Sequence, residues 1–359
     1  MIRIAFAAAL YAIAFAASAG DSCLHQASSR LETQTDWKGQ MVISTLAPDG
    51  ERTTRVLAHD MAAAKLTGHE GFRIASITKT YVAAAALRLY EDGKLDLRAP
   101  ITRYLPAKWT RLLAKDGYRP QDITVRQLLS HTSGLADHAQ APQFIAAIKA
   151  DPATKWTRDS DLEHLVEWTA PVGAPGEKYA YSDTGYVLLG AIIERITGEN
   201  LAQAVRRLLK LDQLGLPNTY WERVEPAAGR MRAHQFYEGI DTYDWDPSMD
   251  LFGGGGIVAT PEDVAVFFDA LLKGNVFKHS ETLALMQSAS GLPADSPYRL
   301  GLLTYDYDGT RVTGHSGFWG TLVVREPISG RTIAGAVTER EAFPQLQALI
   351  GSYVGCAKR

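Results

Sequence analysis

Apolar and polar residues alternate along MVISTL and RTTRVLA, on either side of Pro48-Asp49-Gly50. That is the period of a half-buried strand interrupted by a tight turn, and it predicts a β-hairpin near the start of the chain. A short polar helix is expected just before it, near residues 23–35. The period changes at FRIASITKTYVAAAALRLYEDGK, where an alanine-rich helix opens at Ser76 and stops near Gly93. From there to about residue 290 the signals are mostly helical. Thr124 is placed to cap ITVRQLLSH, while TGYVLLGAIIERIT and LAQAVRRLLKL keep apolar residues on one face. ATPEDVAVFFDALLKG has Thr260 at the N-cap, Pro261 in the first turn, acids after it and Gly274 at the end. Strand patterning returns from Tyr298 in YRLGLLTYDY, RVTGHSGF, WGTLVVRE and RTIAGAVTE, separated by Asp308-Gly309 and a PISG turn. AFPQLQALIGSYV then sets Phe343, Leu346, Leu349, Ile350 and Tyr353 on one helical face.

Strands at both ends and helices in the middle predict an α+β fold. One antiparallel sheet is assembled from the two chain ends and flanked by helices, with an inserted all-α domain. The expected division is a sheet domain of residues 20–95 plus 295–359 and a helical insertion of residues 96–294. Residues 1–19 read as a secretory signal: Arg3 leads an apolar run that ends at Ala17-Ser18-Ala19, an A-x-A cleavage pattern. The expected product is exported, periplasmic or secreted, with no stable membrane span once the signal is removed. Cys23 and Cys356 are the only cysteines. In an oxidising compartment they either pair across a very long loop or remain two free thiols.

A formal net charge of −3 over 359 residues excludes the basic footprint of a nucleic-acid binder. None of the nine histidines has metal-site spacing, and there is no cysteine cluster, so no metal or other cofactor is expected.

Three short sets carry chemistry, in this order. Ser76-Ile77-Thr78-Lys79 stands where the helix opens, Tyr181-Ser182-Asp183 lies in a loop before another helix, and His315-Ser316-Gly317 lies on a strand. Singly, each has an ordinary reading as a solvated pair, a packed ring or a satisfied histidine. A serine hydroxyl, however, needs an adjacent base to attack. Positions i and i+3 share a helix face, so Lys79 can reach Ser76. The helix start also offers the positive end of the macrodipole to an oxyanion. His131, in LLSHTSGL, reads as a loop-fixing residue rather than a catalyst.

The three sets and their surroundings resemble the serine hydrolases related to class C β-lactamases and D-alanyl-D-alanine carboxypeptidases, whose pattern is S-x-x-K, Y-x-N and [K/H]-[T/S]-G. FRIASITKTYVAAAALRLYEDGKLDLRAPITRYLP, ITVRQLLSHTSGL, EKYAYSDTGYVLLGAIIERITG and GHSGFWGT are all similar to segments of that family. The resemblance implies a β-lactamase/transpeptidase-like fold and an acyl-enzyme route to ester or amide hydrolysis. It implies Ser76 as nucleophile, with Lys79 and Tyr181 sharing the proton work and Tyr181 returning the proton to the leaving group. It implies an oxyanion hole of the Ser76 and Phe318 backbone N–H groups, each such donor being worth about 3 kcal/mol. Asp183, His315, Ser316 and Gly317 would surround the substrate, a small molecule or short peptide.

Three positions depart from the β-lactamase pattern: Asp183 replaces the usual Asn, His315 replaces a frequent Lys, and Phe318 replaces a frequent Ser or Thr. A free lysine titrates near ~10.4, so a neutral amine at pH 7 requires a shift of about 3 units, which a neighbouring carboxylate opposes. The expectation is therefore a protonated Lys79 with Tyr181 as the working base. All three changes also weaken an anion site, which predicts neutral esters or amides over β-lactams, unless Arg311 or Arg340 restores a cation. The rival enzymes within the resemblance are a carboxypeptidase and a β-lactamase; a further rival is a sensor that has lost turnover. An α/β-hydrolase needs G-x-S-x-G, and Gly314-His315-Ser316-Gly317-Phe318 fails at its last position.

Overall fold

The computed structural model describes residues 23, 25–59 and 65–356. The proposed signal, residues 1–19, lies outside them. So does the side chain of Cys356, on which the pairing of the two cysteines turns, although Cys23 itself is disulfide-bonded.

Six strands form an antiparallel sheet: β1 (Gly39–Leu46), β2 (Arg52–His59), β3 (Leu303–Tyr307), β4 (Thr310–Gly317), β5 (Thr321–Arg325) and β6 (Thr332–Val337), in the order β2-β1-β6-β5-β4-β3. The N-terminal hairpin meets the last strand in the register Met41↔Val337 to Leu46↔Thr332, so both chain ends build the sheet. Side chains alternate between its faces. Met41, Ile43, Leu322, Val324, Ile333 and Val337 enter one core with Leu346, Leu349 and Ile350. Val323 and Ala334 enter the other core, the large one beneath the helices.

In chain order the helices are α1 (residues 25–32), α2 (Thr78–Glu91), α3 (Ala107–Lys115), α4 (Val125–Leu129), α5 (Pro142–Ala150), α6 (Arg158–Trp168), α7 (Asp183–Thr197), α8 (Leu201–Leu209), α9 (Pro261–Leu272), α10 (Ser280–Gln287) and α11 (Phe343–Cys356). The caps are those the residue types offer. Thr124 and Gln127 close a capping box on α4, Ser182 accepts from the Gly185 N–H on α7, and Thr260 does the same from Asp263 on α9. α11 covers one face of the sheet, and α9 crosses β1, β6 and β5 on the other.

α2 lies deepest. Its residues from Thr78 to Leu89 are buried, and Ala83 to Ala86 have no exposed surface. Alanine brings α7 and α8 close to this central helix, which explains a composition with little amphipathic contrast.

Two details depart from the sequence reading. The helix does not open at Ser76: a 3-10 turn, Ala75–Ile77, precedes α2, and Ala75 adopts the left-handed region at φ 44°. The span between residues 96 and 294 is also not wholly helical. Tyr220–Trp221 and Ile257–Ala259 form a small antiparallel sheet with Phe72–Arg73. Strands of two or three residues are too short to show a period of two.

Candidate active site

The small sheet aims the serine. Phe72–Arg73 pairs with Ala259 and Val258, and the Ile74 N–H donates to Ile257 O. The Arg73 guanidinium is buried and grips Glu222 with two hydrogen bonds of 2.7 and 3.1 Å, then donates to the carbonyls of Thr242 and Trp245. A short segment thus enters the 3-10 turn with little freedom, and Ser76 emerges at the floor of a cavity of about 550 Å³.

Lys79 follows one turn later and is fully buried. Its Nζ donates to Ser76 Oγ at 2.8 Å and to Gly254 O at 2.6 Å. Asp183 Oδ1 forms an ion pair with the same Nζ, approaching off the hydrogen-bonding direction. Gly254 sits in a run of four glycines that brings main chain close to charged side chains. A Cβ on Gly255 would stand 1.9 Å from Asp250 Oδ2, so a larger residue could not hold this path.

Tyr181 comes from the loop ahead of α7. Its ring stacks on His131 with centroids 4.1 Å apart and lies 5.1 Å from Lys79 Nζ. Burial and the Asp183 charge push the phenol well above its usual range, and its interaction with Ser76 only opposes that rise. Tyr181 is therefore a neutral phenol, a state that does not suit the expectation that it is the working base. His131 holds the loop, since its Nδ1 accepts the Ser182 N–H at 3.0 Å. Burial, followed by the Lys79 charge, pushes His131 well down, so it stays neutral.

The third set arrives on β4. His315 is buried, with Nδ1 donating to Ser316 O at 2.8 Å and Nε2 accepting from the Tyr298 hydroxyl at 2.9 Å. Burial and the Lys79 charge push His315 down to about 3, so at neutral pH it brings no cation to the cavity. Ser316 lines the cavity, and its hydroxyl lies beside Tyr305. Gly317 is required by close approach: a Cβ there would stand 2.2 Å from Ile74 O. Phe318, half exposed, and Trp319, buried, complete this wall. Of the two candidate arginines, Arg340 lines the cavity, its guanidinium 4.8 Å from the centre of the Phe318 ring, while Arg311 does not.

Sequence reasoning missed two acids. Asp137 and Asp250 both line the cavity beside Asp183. Burial, then the Asp183 charge, pushes Asp137 up to about 8 and Asp250 up to about 7. The only trace of Asp250 in the sequence is its place before the glycine run; Asp137 leaves none. Among the described residues no group of His, Cys, Asp or Glu has the geometry to hold a metal ion.

The chain is similar to known proteins over most of its length. A family model described as Beta-lactamase matches residues 43–348. The chain is 35% identical over 273 residues to Esterase EstB of Burkholderia gladioli, covering 67% of this chain and 68% of that protein. It is 26% identical to Penicillin-binding protein 4* of Bacillus subtilis, covering 78% of this chain and 63% of the relative. Among solved structures, a D-stereospecific amidohydrolase from a Streptomyces species superposes with a TM-score of 0.74 at 26% identity, covering 90% of this chain and 94% of that one.

Proposed function

Because the chain belongs to the Beta-lactamase family, we propose that Ser76 is the nucleophile of a serine hydrolase that cleaves ester or amide bonds through an acyl-enzyme. One observation carries the assignment: the Lys79 amine lies 2.8 Å from the Ser76 hydroxyl at the floor of an open, largely apolar cavity. Relatives with the printed names esterase and amidohydrolase support the ester and amide chemistry. Lys79 handles the Ser76 proton, and Tyr181 protonates the leaving group. The Ser76 and Phe318 backbone N–H groups receive the oxyanion. The chain divides into a sheet unit, residues 20–95 plus 295–359, and a helical unit, residues 96–294, and residues of both line the cleft.

Substrates are neutral esters or amides in preference to classical β-lactams. Support comes from the neutral His315, from Phe318 where a hydroxyl is frequent, and from three carboxyl groups along the cavity. Arg340 favours the second reading, a carboxypeptidase or β-lactamase that holds a substrate carboxylate, since its guanidinium faces the cavity without an ion pair among the described residues. Intact-mass labelling with a fluorophosphonate and with a penicillin separates the two. The expected result is a fluorophosphonate adduct on wild type, none on Ser76→Ala, and slow penicillin acylation. Turnover of a cephalosporin as fast as that of a neutral aryl ester would establish the second reading instead. The protein acts after export, a reading supported by the Arg3-led apolar run and its A-x-A site. Among the described residues no helix is long and apolar enough to cross a membrane.

A further inference from the structure

We propose that Asp183 is the proton acceptor that turns Lys79 into a base, so that the Ser76 proton is relayed through the amine to this carboxyl group. The inference rests on Ser76 being the nucleophile. An ammonium that already donates to Ser76 Oγ and to Gly254 O has no lone pair with which to take a proton. Asp183 Oδ1 is the ion-pair partner of the same nitrogen. Once the ammonium rotates to turn an N–H onto Oδ1, moving that proton from Nζ to Oδ1 leaves a neutral amine beside a neutral acid and brings no net charge into the buried site.

The amine then takes the Ser76 hydroxyl proton as Oγ bonds to the substrate carbonyl carbon, and the carbonyl π pair moves onto its oxygen. Lys79 is again an ammonium, Asp183 holds one proton, and the tetrahedral intermediate carries the negative charge. When the intermediate collapses, the bond to the leaving oxygen or nitrogen breaks and that atom takes the Tyr181 proton. Lys79 reprotonates Tyr181, Asp183 returns its proton to Lys79, and the resting charges are restored. Water deacylates Ser76 by the same route.

The surroundings leave Asp183 as the acceptor. The groups that face it are Lys79 from α2, Asp137 and His138 from the loop after α4, Asp161 from α6, Tyr181 from its own loop, Asp250 from the glycine run and His315 from β4. Burial favours the protonated forms of Asp161, Asp137 and Asp250, and Asp183 is the acid in ion-pair contact with the lysine. His138 is pushed down to about 4 and His315 to about 3, chiefly by burial, so neither competes as a cation. An asparagine, frequent here in the family the chain resembles, could hold Lys79 but could not take its proton.

Asp183→Asn tests the relay, with p-nitrophenyl acetate as substrate and fluorophosphonate labelling followed by mass. The expected result at pH 7 is a kcat lower by about 10²-fold or more, with KM within a few-fold of wild type. The variant amine must lose its proton to solvent, with no carboxylate to take it. Its log kcat/KM should therefore climb with rising pH, a climb absent from wild type. Labelling of the variant at pH 10 certifies an intact fold. A wild-type rate in the variant, a lowered rate with a wild-type profile, or no labelling at any pH overturns the relay. If wild-type protein forms no adduct on Ser76, the nucleophile assignment falls with it.

Discussion

The two walls of the cleft handle charge in opposite ways. The wall built by α2, the loop after α4, the start of α7 and the loop ahead of α9 holds Lys79 among Asp137, Asp183 and Asp250. The wall built by β4 holds a neutral imidazole, two aromatic rings and, at its edge, Arg340. In the proposed reaction the first moves protons and the second shapes what is bound, and Ser76 stands where they meet. The contrast teaches that charge was concentrated where a proton must travel, and kept away from the strand that lies along the substrate.

The most direct way to break the contrast is to remove the proton wall. Ser76→Ala and Lys79→Met are each expected to lower kcat/KM on an aryl ester by about 10⁴-fold or more, since members of a nucleophile–base set act as a unit. The next effect is on stability. Arg73→Ala strips the buried Glu222 carboxylate of its two hydrogen bonds from the segment that aims Ser76, leaving it only Arg232 at 3.5 Å, and should cost about 3 kcal/mol in denaturant unfolding. Smaller again is a wedge between the walls. Gly317→Ala places a methyl group against Ile74 O and should lower kcat by about 10²-fold through displacement of the nucleophile turn.

The mildest effect sharpens the comparison through pH. Asp250 is raised to about 7 by burial and by Asp183, so its contribution to stability is complete below the ordinary carboxyl value and is lost as pH rises through about 7. His315 is lowered to about 3 by burial and by Lys79, so its contribution is complete above its ordinary value and is lost as pH falls through about 3. The two walls thus lose stability at opposite ends of the scale. Asp250→Asn, which loses no hydrogen bond of the carboxylate, should raise Tm by a few degrees at pH 8 and leave it unchanged at pH 4. Equal shifts at both values would show that Asp250 acts by packing alone.

Much of this was legible in the chain. The hairpin at Pro48-Asp49-Gly50, the caps at Thr124 and Thr260 and the final strands carry local signals, because turn chemistry and period act over a few residues. The order of Ser76, Lys79, Tyr181 and His315 pointed to one site for the same reason: each stood on a readable element. Asp137 and Asp250 were not legible, since an aspartate in a loop looks the same whether it faces solvent or a buried lysine. The protonation of Tyr181 was not legible either, because the phenol's proton is held by burial and by the Asp183 charge, quantities that spacing does not encode.

The sequence by itself determined which residues could attack, which elements carry them, and that the two chain ends build one sheet. Only the tertiary structure decided how protons are shared among those residues. Affinity for a proton depends on desolvation and on charges a few ångströms away, and these come from distant segments that meet only in the fold, as Lys79 and Gly254 do across 175 positions.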